Sequence, residues 1–555
     1  MPASDLDRKF DAVLAAVTGP GGQIVLDHDA EGRAIVANFP ATLPAFFKVF
    51  CALNGAVEAV VSGSERLTFV TLDTLSDRLA RGLIARGVAK GDRVGIAMRN
   101  CPAWIVGYMA ALKAGAIVTL INGWWQVGEL SHALALTDPG LILADEPRAL
   151  RIAAADGGFD AITIAIEQPL ETAYAELLAA GSDDVALPEI VPEDDATILF
   201  TSGSTGEAKG ALSTHRAVTT AVYSYATSLM TLRGILESEG RPPLNPPRTL
   251  VAVPLFHVTG EVPVMLNSFV IGRGMVLMPK WDAGEALRLI EREKVTYFVG
   301  VPTMSLELMN HGDRDNYDLS TLTDITGGGA PRPVAHVERL RQAFPNSQPA
   351  LGYGLTETNA VGCGNFWSNY VAKPGSTGRA QPLLKIAILG EDDRHLGPNE
   401  RGEIAISSAA NFTCYWNDPQ ATAAAMTADL YLRTGDIGYL DEDGYLFIVD
   451  RKKDIIIRGG ENISAAEVEA ALYACEGIAE AAVFGAPDDR LGEVPIAILF
   501  RREGSVIDEA DLRAFLDGRL SAFKVPTRMV FSDEPLPRLG TGKIDRVILK
   551  QKFAG

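Results

Sequence analysis

The most informative stretch of the chain is ATILFTSGSTGEAKGALSTH, residues 196–215. A short apolar strand, Thr197 to Phe200, runs into a loop of small hydroxyl residues and glycines that ends in a lysine. A loop of this kind presents backbone N–H groups, hydroxyls and a positive charge to a chain of phosphates. The predicted phosphate-binding residues are Thr201, Ser202, Gly203, Ser204, Thr205, Gly206 and Lys209.

Two better-known glycine-rich turns do not fit this loop. A Walker A loop would need glycine at Ala208 and a serine or threonine at Gly210. A nucleophile elbow around Ser204 would need glycine at Ser202, which makes a Ser-His-Asp esterase a weak alternative. Taken alone, the segment leaves open an ordinary strand-to-helix turn, although such a turn has no need of so many small polar residues and a lysine.

Outside this loop, the chain alternates helical and strand patterns, as in residues 72–98 and 286–302. This alternation indicates βαβ units and parallel sheets. Residues 375–450 consist of short strands separated by turns, and a new α/β pattern begins near Asp454. We therefore predict an α/β protein with a large N-terminal domain of stacked α/β sheets plus a β-rich subdomain (1–450). A small C-terminal α+β domain (451–555) follows.

Composition excludes several classes of protein. The 555 residues are 47% apolar and 22% charged, which is typical of a globular chain. Fifty basic and 70 acidic residues give a net charge of −20, which argues against nucleic acid or an anionic membrane as the main partner. Five widely spaced cysteines favour a reducing, cytoplasmic compartment. The apolar run Trp104–Gly123 contains Lys113 and is expected to form a buried helix and strand, so no integral membrane segment is predicted.

The loop TSGSTGEAKG (201–210) resembles the phosphate loop of the adenylate-forming superfamily, which includes acyl-CoA synthetases, luciferases and peptide-synthetase adenylation domains. Ala208 replaces the proline that is usual before the lysine. Four further segments match in the expected order: ITGGGAPRP (325–333), GYGLTET (352–358), YLRTGDIGYLDEDGYLFIVDRKKDIIIRGGENISAAEVE (431–469) and PRLGTGKIDR (537–546). The resemblance covers nearly the whole chain from about residue 60. It implies an AMP-dependent acid–CoA ligase that uses ATP, CoA, Mg²⁺ and a small-molecule carboxylic acid.

The segment GYGLTET suits a nucleotide and its metal. Gly352 and Gly354 let the backbone approach a flat ligand, and Tyr353 offers a ring for stacking on a purine. Thr356 can donate to a phosphate, and Glu357 is a hard carboxylate suited to Mg²⁺. The resemblance implies these roles, and it puts the opposite wall of the adenine site at Gly329, Ala330 and Pro331.

Three charged residues complete the predicted reaction site. Asp436, expected in a turn after a strand, can accept both ribose hydroxyls, and Arg451 can reach ribose or phosphate as a fixed cation. Lys543 lies between two glycines and can bridge the acid and the α-phosphate as charge develops between them. The resemblance implies these roles and makes Lys543, Thr205 and Glu357 the catalytic residues.

The resemblance also implies a second arrangement of the C-terminal domain. Lys453 would be the hinge about which that domain rotates between adenylation and thioester formation. In the second arrangement the CoA-binding segment Arg458, Gly459 and Gly460 would replace Lys543, so that bare backbone lies along the pantetheine arm.

The segment PLFHVTG (254–260) is where relatives line the acid pocket. His257 is interpreted equally well as a group that touches the carboxylate and as a packed core residue. Amino-acid-activating relatives usually have an aspartate in this segment to pair with the substrate's ammonium, whereas here no carboxylate occurs in the segment before Glu261, so the resemblance argues against a free amino acid as substrate. The remaining predicted pocket residues are Val258, Val301, Gly328, Val361 and Gly362, and they suit a fatty, branched or aryl acid.

The leading prediction is an acid–CoA ligase that acts as a monomer or homodimer. An acyl-AMP ligase that loads a separate carrier protein and a luciferase-like oxygenase are alternatives within the same fold. A non-catalytic nucleotide sensor is a third alternative, but it has no reason to keep Lys543, Glu357 and Thr205.

Overall fold

The computed structural model describes residues 4–201, 208–330, 332–451, 454–458, 461–488, 490–539 and 542–553. Within these residues lie five β-sheets, two of them large. The smallest is an antiparallel pair near the N-terminus, β1 (Leu26–His28) and β2 (Ala34–Val36).

The first large sheet has seven strands and a parallel centre. Its apolar strands are buried on both faces, as parallel strands covered by helices must be. In spatial order they are β20 (Cys414–Tyr415), β10 (Gly210–Thr214), β9 (Asp195–Phe200), β6 (Ile117–Leu120), β5 (Arg93–Ala97), β7 (Leu141–Asp145) and β8 (Ala161–Ile164).

The second large sheet has nine strands, of which β3 and β11–β15 are parallel to one another. In spatial order they are β17 (Arg379–Ala380), β16 (Gly362–Phe366), β15 (Gln348–Gly354), β14 (Asp324–Gly327), β13 (Tyr297–Gly300), β11 (Arg248–Val251), β12 (Gly274–Leu277), β3 (Glu58–Ser62) and β4 (Glu65–Thr68).

Helices cover these two sheets and share one large core between them. Every residue of the helix at 102–113 is buried, and Pro102 begins it at the position where a missing N–H costs nothing. The helices are α1 (Asp5–Thr18), α2 (Leu43–Asn54), α3 (Phe69–Ala85), α4 (Pro102–Lys113), α5 (Val127–Thr137), α6 (Glu146–Ala153), α7 (Leu170–Ala173), α8 (Ala175–Ala180), α9 (His215–Ser238), α10 (Asn267–Ile271), α11 (Ala283–Glu293), α12 (Pro302–Asn310), α13 (Val334–Ala343) and α14 (Trp367–Ala372). A π-helix, Gly260–Leu266, precedes α10.

The segment predicted to be β-rich forms a four-stranded antiparallel sheet with one short helix. It contains β18 (Leu384–Leu389), β19 (Gly402–Ser408), β21 (Leu432–Leu440) and β22 (Leu446–Arg451), and the helix is α15 (Pro419–Ala425).

The last part of the chain, from residue 454 onward, has its own sheet and its own apolar core, and we call it the C-terminal unit. Its strands are β23 (Ile455–Arg458), β24 (Glu461–Ser464), β25 (Ile478–Asp488), β26 (Gly492–Arg501) and β27 (Arg528–Ser532). Its helices are α16 (Ala465–Tyr473), α17 (Glu509–Leu516) and α18 (Arg546–Phe553).

The prediction of an α/β fold with stacked sheets, a β-rich part and a small α+β C-terminal part is confirmed. Across the described ranges, no helix is both long enough and apolar enough to span a bilayer. The predicted buried helix and strand at 104–123 are α4 and β6.

The connections that carry the predicted motifs leave the carboxyl ends of parallel strands. The phosphate loop follows β9, Val301 follows β13, Gly328 follows β14, and Thr356 follows β15. Ligands of open α/β sheets bind at such edges, and the topology brings Val301, Gly328 and Thr356 to one edge of the nine-stranded sheet, whereas the phosphate loop leaves the seven-stranded sheet.

Candidate active site

The phosphate loop is held at both ends by an antiparallel pair of strands. Residues 202–207, which include the predicted Ser202, Gly203, Ser204, Thr205 and Gly206, lie outside the described residues. On either side of them, the Thr201 N–H donates to the Lys209 carbonyl at 2.9 Å, which continues the β9–β10 pairing. The Lys209 ammonium lies 4.8 Å from the centre of the Tyr415 ring and 3.8 Å from an Asp418 carboxylate oxygen. The lysine at the end of the loop, Lys209, therefore lies beside Tyr415 of β20.

Glu357 lies beside the same tyrosine. It occupies a short 3₁₀ turn at 356–358 that follows β15, and its carbonyl accepts from the Phe412 N–H at 2.8 Å. The Tyr415 hydroxyl donates to Glu357 Oε1 at 2.7 Å. Burial, and then the charge of Glu357, raise the pKa of Tyr415, so the phenol stays a donor. Tyr415 thus joins the predicted phosphate cation to the predicted magnesium carboxylate.

The predicted ribose residues form a second hydrogen-bonded group. The Tyr353 hydroxyl donates to Asp436 Oδ2 at 2.7 Å, and Arg451 Nε lies 3.3 Å from Asp436 Oδ1. The expectation that Asp436 sits in a turn after a strand is wrong. It lies inside β21, directly opposite Arg451 on β22, because β21 runs on through the Thr-Gly-Asp segment that looked like a turn. Burial, and then the charge of Asp436, raise the pKa of Tyr353, which keeps its proton in this bond.

Lys543 reaches this group from the C-terminal unit. On either side of residues 540–541, which lie outside the described residues, the Leu539 N–H donates to the Lys543 carbonyl and the Gly542 N–H donates to the Leu539 carbonyl, each at 2.8 Å. A Cβ added at Gly329, where φ is +74°, would come 3.3 Å from Lys543 Cε. A Cβ at Gly542 would come 3.1 Å from Val301. The lysine side chain therefore lies against the backbone of Gly329, in the part of the chain that precedes the C-terminal unit.

The surroundings of Lys543 weaken its hold on a proton. Burial, and then the positive charge of Arg451, lower the pKa of Lys543 to about 8, and the Asp436 carboxylate opposes this shift. Near pH 7 the side chain is still an ammonium, in a half-buried position where its charge is poorly screened. An anionic ligand bound next to this cation would stabilise its charged form.

His257 faces the same lysine. Burial, and then the charge of Lys543, lower the pKa of His257 to about 3, so its imidazole is neutral. Its Nδ1 accepts from the Thr259 N–H at 3.2 Å, and the proton of the neutral ring is therefore on Nε2. Of the two interpretations left open by the sequence, proximity to Lys543 favours a role in the site.

The apolar residues of the predicted acid pocket are buried. Val301, which follows β13, packs against the lysine loop. A Cβ at Gly328 would meet a single atom within 4 Å, the Gly352 carbonyl oxygen at 3.9 Å, so the backbone there leaves room. The buried members of the set are Val258, Val301, Val361 and Gly362.

Of the predicted adenine-site residues, Gly329 is the one shown next to Lys543. Position 354 has room for glycine but not for a side chain, because an added Cβ would come 1.9 Å from the Ala360 carbonyl oxygen. Gly352 has open space where a Cβ would be, and Ala330 is half-buried beyond Gly329. Thr356 begins the 3₁₀ turn of Glu357.

The predicted CoA segment belongs to another part of the C-terminal unit. Arg458 ends β23 opposite Gly492, and its Nη1 donates to the Phe523 carbonyl at 3.2 Å. The predicted residues Pro331, Lys453, Gly459 and Gly460 lie outside the described residues. The described candidates for adenylation therefore fall into two groups, one around Tyr415 and one around Lys543, and Arg458 lies apart from the contacts of Lys543.

Sequence reasoning missed Tyr415 and Asp418. Both lie in NFTCYWND (411–418), whose short strand β20 pairs with β10 and so lies beside the phosphate loop. An aromatic-rich turn so far along the chain has no local feature that assigns it to the loop at 201–209.

The chain is similar to known proteins along most of its length. Residues 47–416 match the family described as AMP-binding enzyme, and residues 467–543 match its C-terminal domain. The chain is 34% identical to a long-chain-fatty-acid–CoA ligase of Bacillus subtilis, over 87% of this chain and 89% of that protein. It is 36% identical to a feruloyl-CoA synthase of Amycolatopsis, over 89% and 96%.

A solved structure resembles most of the chain. The o-succinylbenzoate coenzyme A synthetase of Bacillus subtilis in complex with ATP and magnesium ion matches with a TM-score of 0.78 and 28% identity. The match covers 91% of this chain and 99% of that one.

Proposed function

The chain belongs to the AMP-binding enzyme family and is an AMP-forming acid–CoA ligase, and we propose that the residues around Lys543 perform its first half-reaction. In the first half-reaction a carboxylic acid and ATP give an acyl-adenylate and pyrophosphate. In the second, CoA displaces AMP to leave a thioester. One observation carries the assignment of the site. Lys543, from the C-terminal unit, lies over the bare backbone of Gly329 beside Arg451 and Asp436.

The nucleotide is proposed to lie between the two hydrogen-bonded groups. Asp436, already anchored by Tyr353 and Arg451, accepts from the ribose hydroxyls, and the Tyr353 ring packs on the adenine. The triphosphate then extends toward Lys209 and the loop that includes Thr205. The pairing of β9 with β10 supports this direction, because it fixes both ends of that loop at one edge of the sheet.

The residues present fit a magnesium ion. Mg²⁺ in phosphate sites takes one or two carboxylates and keeps its remaining ligands as water and phosphate oxygens. Glu357 supplies one such carboxylate, and the hydrogen bond from Tyr415 fixes its orientation. When bound, the ion would neutralise charge on the triphosphate.

The chemical step needs two anions to meet. A carboxylate oxygen of the acid attacks the α-phosphorus, a new P–O bond forms, and the bond to the leaving pyrophosphate breaks. The Lys543 ammonium lies where it can contact both partners, and it stabilises the negative charge that develops between them. The Nε2–H of His257 is the donor proposed to orient the acid's carboxylate.

The second half-reaction is proposed to use a rotated C-terminal domain. We place the boundary between residues 1–450 and 451–555, with Lys453 as the hinge and Arg458, Gly459 and Gly460 along the pantetheine arm of CoA. The separate core and sheet of the C-terminal unit support rotation as a rigid body.

The acid is proposed to be fatty, branched or aryl. The buried valines around Val301 give an apolar pocket, and the relatives named above act on long-chain fatty acids and on an aryl acid. A cytoplasmic location is also proposed, because all five cysteines are free thiols, as expected in a reducing compartment.

A panel of carboxylic acids tests the proposal. The purified chain with ATP, Mg²⁺ and CoA should release pyrophosphate and form a thioester with at least one fatty, branched or aryl acid. Pyrophosphate without thioester for every acid would favour a ligase that loads a separate carrier protein. Neither product would overturn the assignment.

A further inference from the structure

Helix α5 and the turn before it contact both ends of the phosphate loop. On the entry side, the Trp125 ring meets the ring of Phe200, the last residue of β9, edge to face with centroids 5.0 Å apart. On the return side, His132 Nε2 lies 3.1 Å from the carbonyl oxygen of Ala208. One short segment, residues 125–132, therefore touches the chain on either side of the loop.

The contact of His132 is a hydrogen bond with a defined direction. A backbone carbonyl can only accept, so the imidazole donates and its Nε2 carries a proton. The accepting carbonyl belongs to the peptide that joins Ala208 to Lys209. Because a peptide unit is planar, fixing its carbonyl also fixes the bond that enters the lysine backbone.

The chain on the other side of the lysine is held as well. The Trp416 N–H, in the turn after β20, donates to the Gly210 carbonyl at 2.7 Å. The Lys209 ammonium lies over the ring of Tyr415, next to that turn. The backbone of Lys209 is therefore held by His132 on one side and by the turn after β20 on the other.

The support that carries His132 is itself anchored away from the loop. Arg148 Nε donates to the Gly123 carbonyl at 2.8 Å, and Arg151 Nη1 donates to the Trp125 carbonyl at 2.7 Å. The inward face of α5 includes Leu134, which is fully buried in the core. The position of the imidazole is thus set by contacts that do not involve the phosphate loop.

We propose, resting on the placement of the triphosphate given above, that His132 is a positioning residue for ATP. Its hydrogen bond orients the peptide before Lys209 and so holds the ammonium at the end of the site toward which the triphosphate extends. AMP and an acyl-adenylate have no β- or γ-phosphate. The contribution of His132 is therefore specific to ATP and to the first half-reaction.

Two substitutions of nearly equal length separate the hydrogen bond from packing. His132→Gln keeps an N–H donor near the position of Nε2, whereas His132→Met fills similar space without a donor. His28→Met, on the exposed strand β1, is the control for loss of an imidazole elsewhere. The Kd values for ATP and for AMP are measured by isothermal titration calorimetry with Mg²⁺ and without a carboxylic acid, so that no adenylate forms.

His132→Met should raise the Kd for ATP by about 3- to 10-fold, the effect of losing one hydrogen bond, and leave the Kd for AMP unchanged. His132→Gln and His28→Met should bind both nucleotides as the wild type does. An unchanged Kd for ATP, equal weakening of ATP and AMP, or equal losses in His132→Met and His132→Gln would overturn the proposal. If His132→Met does not fold, His132→Asn, whose side chain ends before the position of Nε2, replaces it with the same expectations.

Catalytic assays separate this role from the function on which it rests. Thioester formation from synthetic acyl-adenylate and CoA should be the same in the wild type and in His132→Met, whereas pyrophosphate release at low ATP concentration should be slower in the variant. If no acid yields pyrophosphate or thioester while the ATP-specific loss appears, the proposed reaction site is wrong and the role of His132 stands. If thioester forms and the ATP-specific loss is absent, the role of His132 is wrong.

Discussion

Removal of the Lys543 ammonium should nearly abolish acyl-adenylate formation. In a half-buried site with an effective dielectric constant of about 20, a charge about 4 Å from a developing anion contributes roughly 4 kcal/mol. Loss of one preorganised donor typically costs about 10²–10³ in rate. Lys543→Ala should therefore slow adenylation by about a thousandfold, because the side chain ends over Gly329 where acid and α-phosphate must meet.

Two assays on one preparation separate the half-reactions. Single-turnover release of pyrophosphate reports adenylation, and thioester formation from synthetic acyl-adenylate and CoA bypasses it. We expect Lys543→Ala to fail in the first assay and to retain the second, with an unchanged circular dichroism spectrum. Wild-type pyrophosphate release by this variant would refute the reasoning.

The pH profile tests the same residue independently. Because the pKa of Lys543 is lowered to about 8, the ammonium is present below that pH and is lost above it. The kcat/KM for ATP should fall on the alkaline side of about pH 8. Since the charge of Arg451 lowers this pKa, Arg451→Gln should move the alkaline limb upward, and Lys543→Arg should remove it. An alkaline limb that is unchanged in both variants would show that another group titrates.

Four further predictions concern other parts of the molecule. Asp436→Asn removes the charge that is proposed to accept from the ribose hydroxyls, and charge-assisted bonds contribute about 1.5–3 kcal/mol each, so KM for ATP should rise by about 10- to 100-fold in initial-rate kinetics; an unchanged KM would contradict the ribose assignment. Glu357→Gln should raise the Mg²⁺ concentration needed for half-maximal rate, whereas Tyr415→Phe, which keeps the carboxylate, should raise it less; equal effects would contradict the metal role. His257→Gln should leave any acid limb above pH 4 in place, because the pKa of His257 is lowered to about 3; loss of the limb would show that the imidazole titrates there. Asp7 accepts from Asn369 Nδ2 and from the Tyr445 hydroxyl, and Asp7→Ala removes this acceptor from both buried donors. Urea denaturation should therefore show about 2–4 kcal/mol less free energy of unfolding, against a change near zero for a surface substitution.

The contiguous motifs could be interpreted from sequence because each carries its chemistry within a few residues. The phosphate loop, the Gly-Tyr-Gly segment and the lysine loop each combine glycine with a polar or charged side chain. The first two lie at the carboxyl ends of parallel strands, β9 and β15, where ligands of α/β sheets bind, although these strands belong to different sheets.

Pairs that depend on strand register could not be found in this way. Asp436 faces Arg451 only because β21 extends through a segment that looks like a turn, and a shift of one residue would separate them. Tyr415 bridges Lys209 and Glu357 although it lies about 200 residues from the first and 60 from the second. Local propensity contains no information about such contacts.

The sequence by itself determined the fold class and the adenylate-forming chemistry, because hydrophobic periodicity and short glycine-rich motifs are local properties of the chain. Only the tertiary structure decided how low the pKa of Lys543 falls, which partner orients Glu357, and which distant side chains bind Asp7 of α1. Each of these depends on burial and on groups brought together from distant segments. Desolvation, charge proximity and packing exist only once the chain has folded.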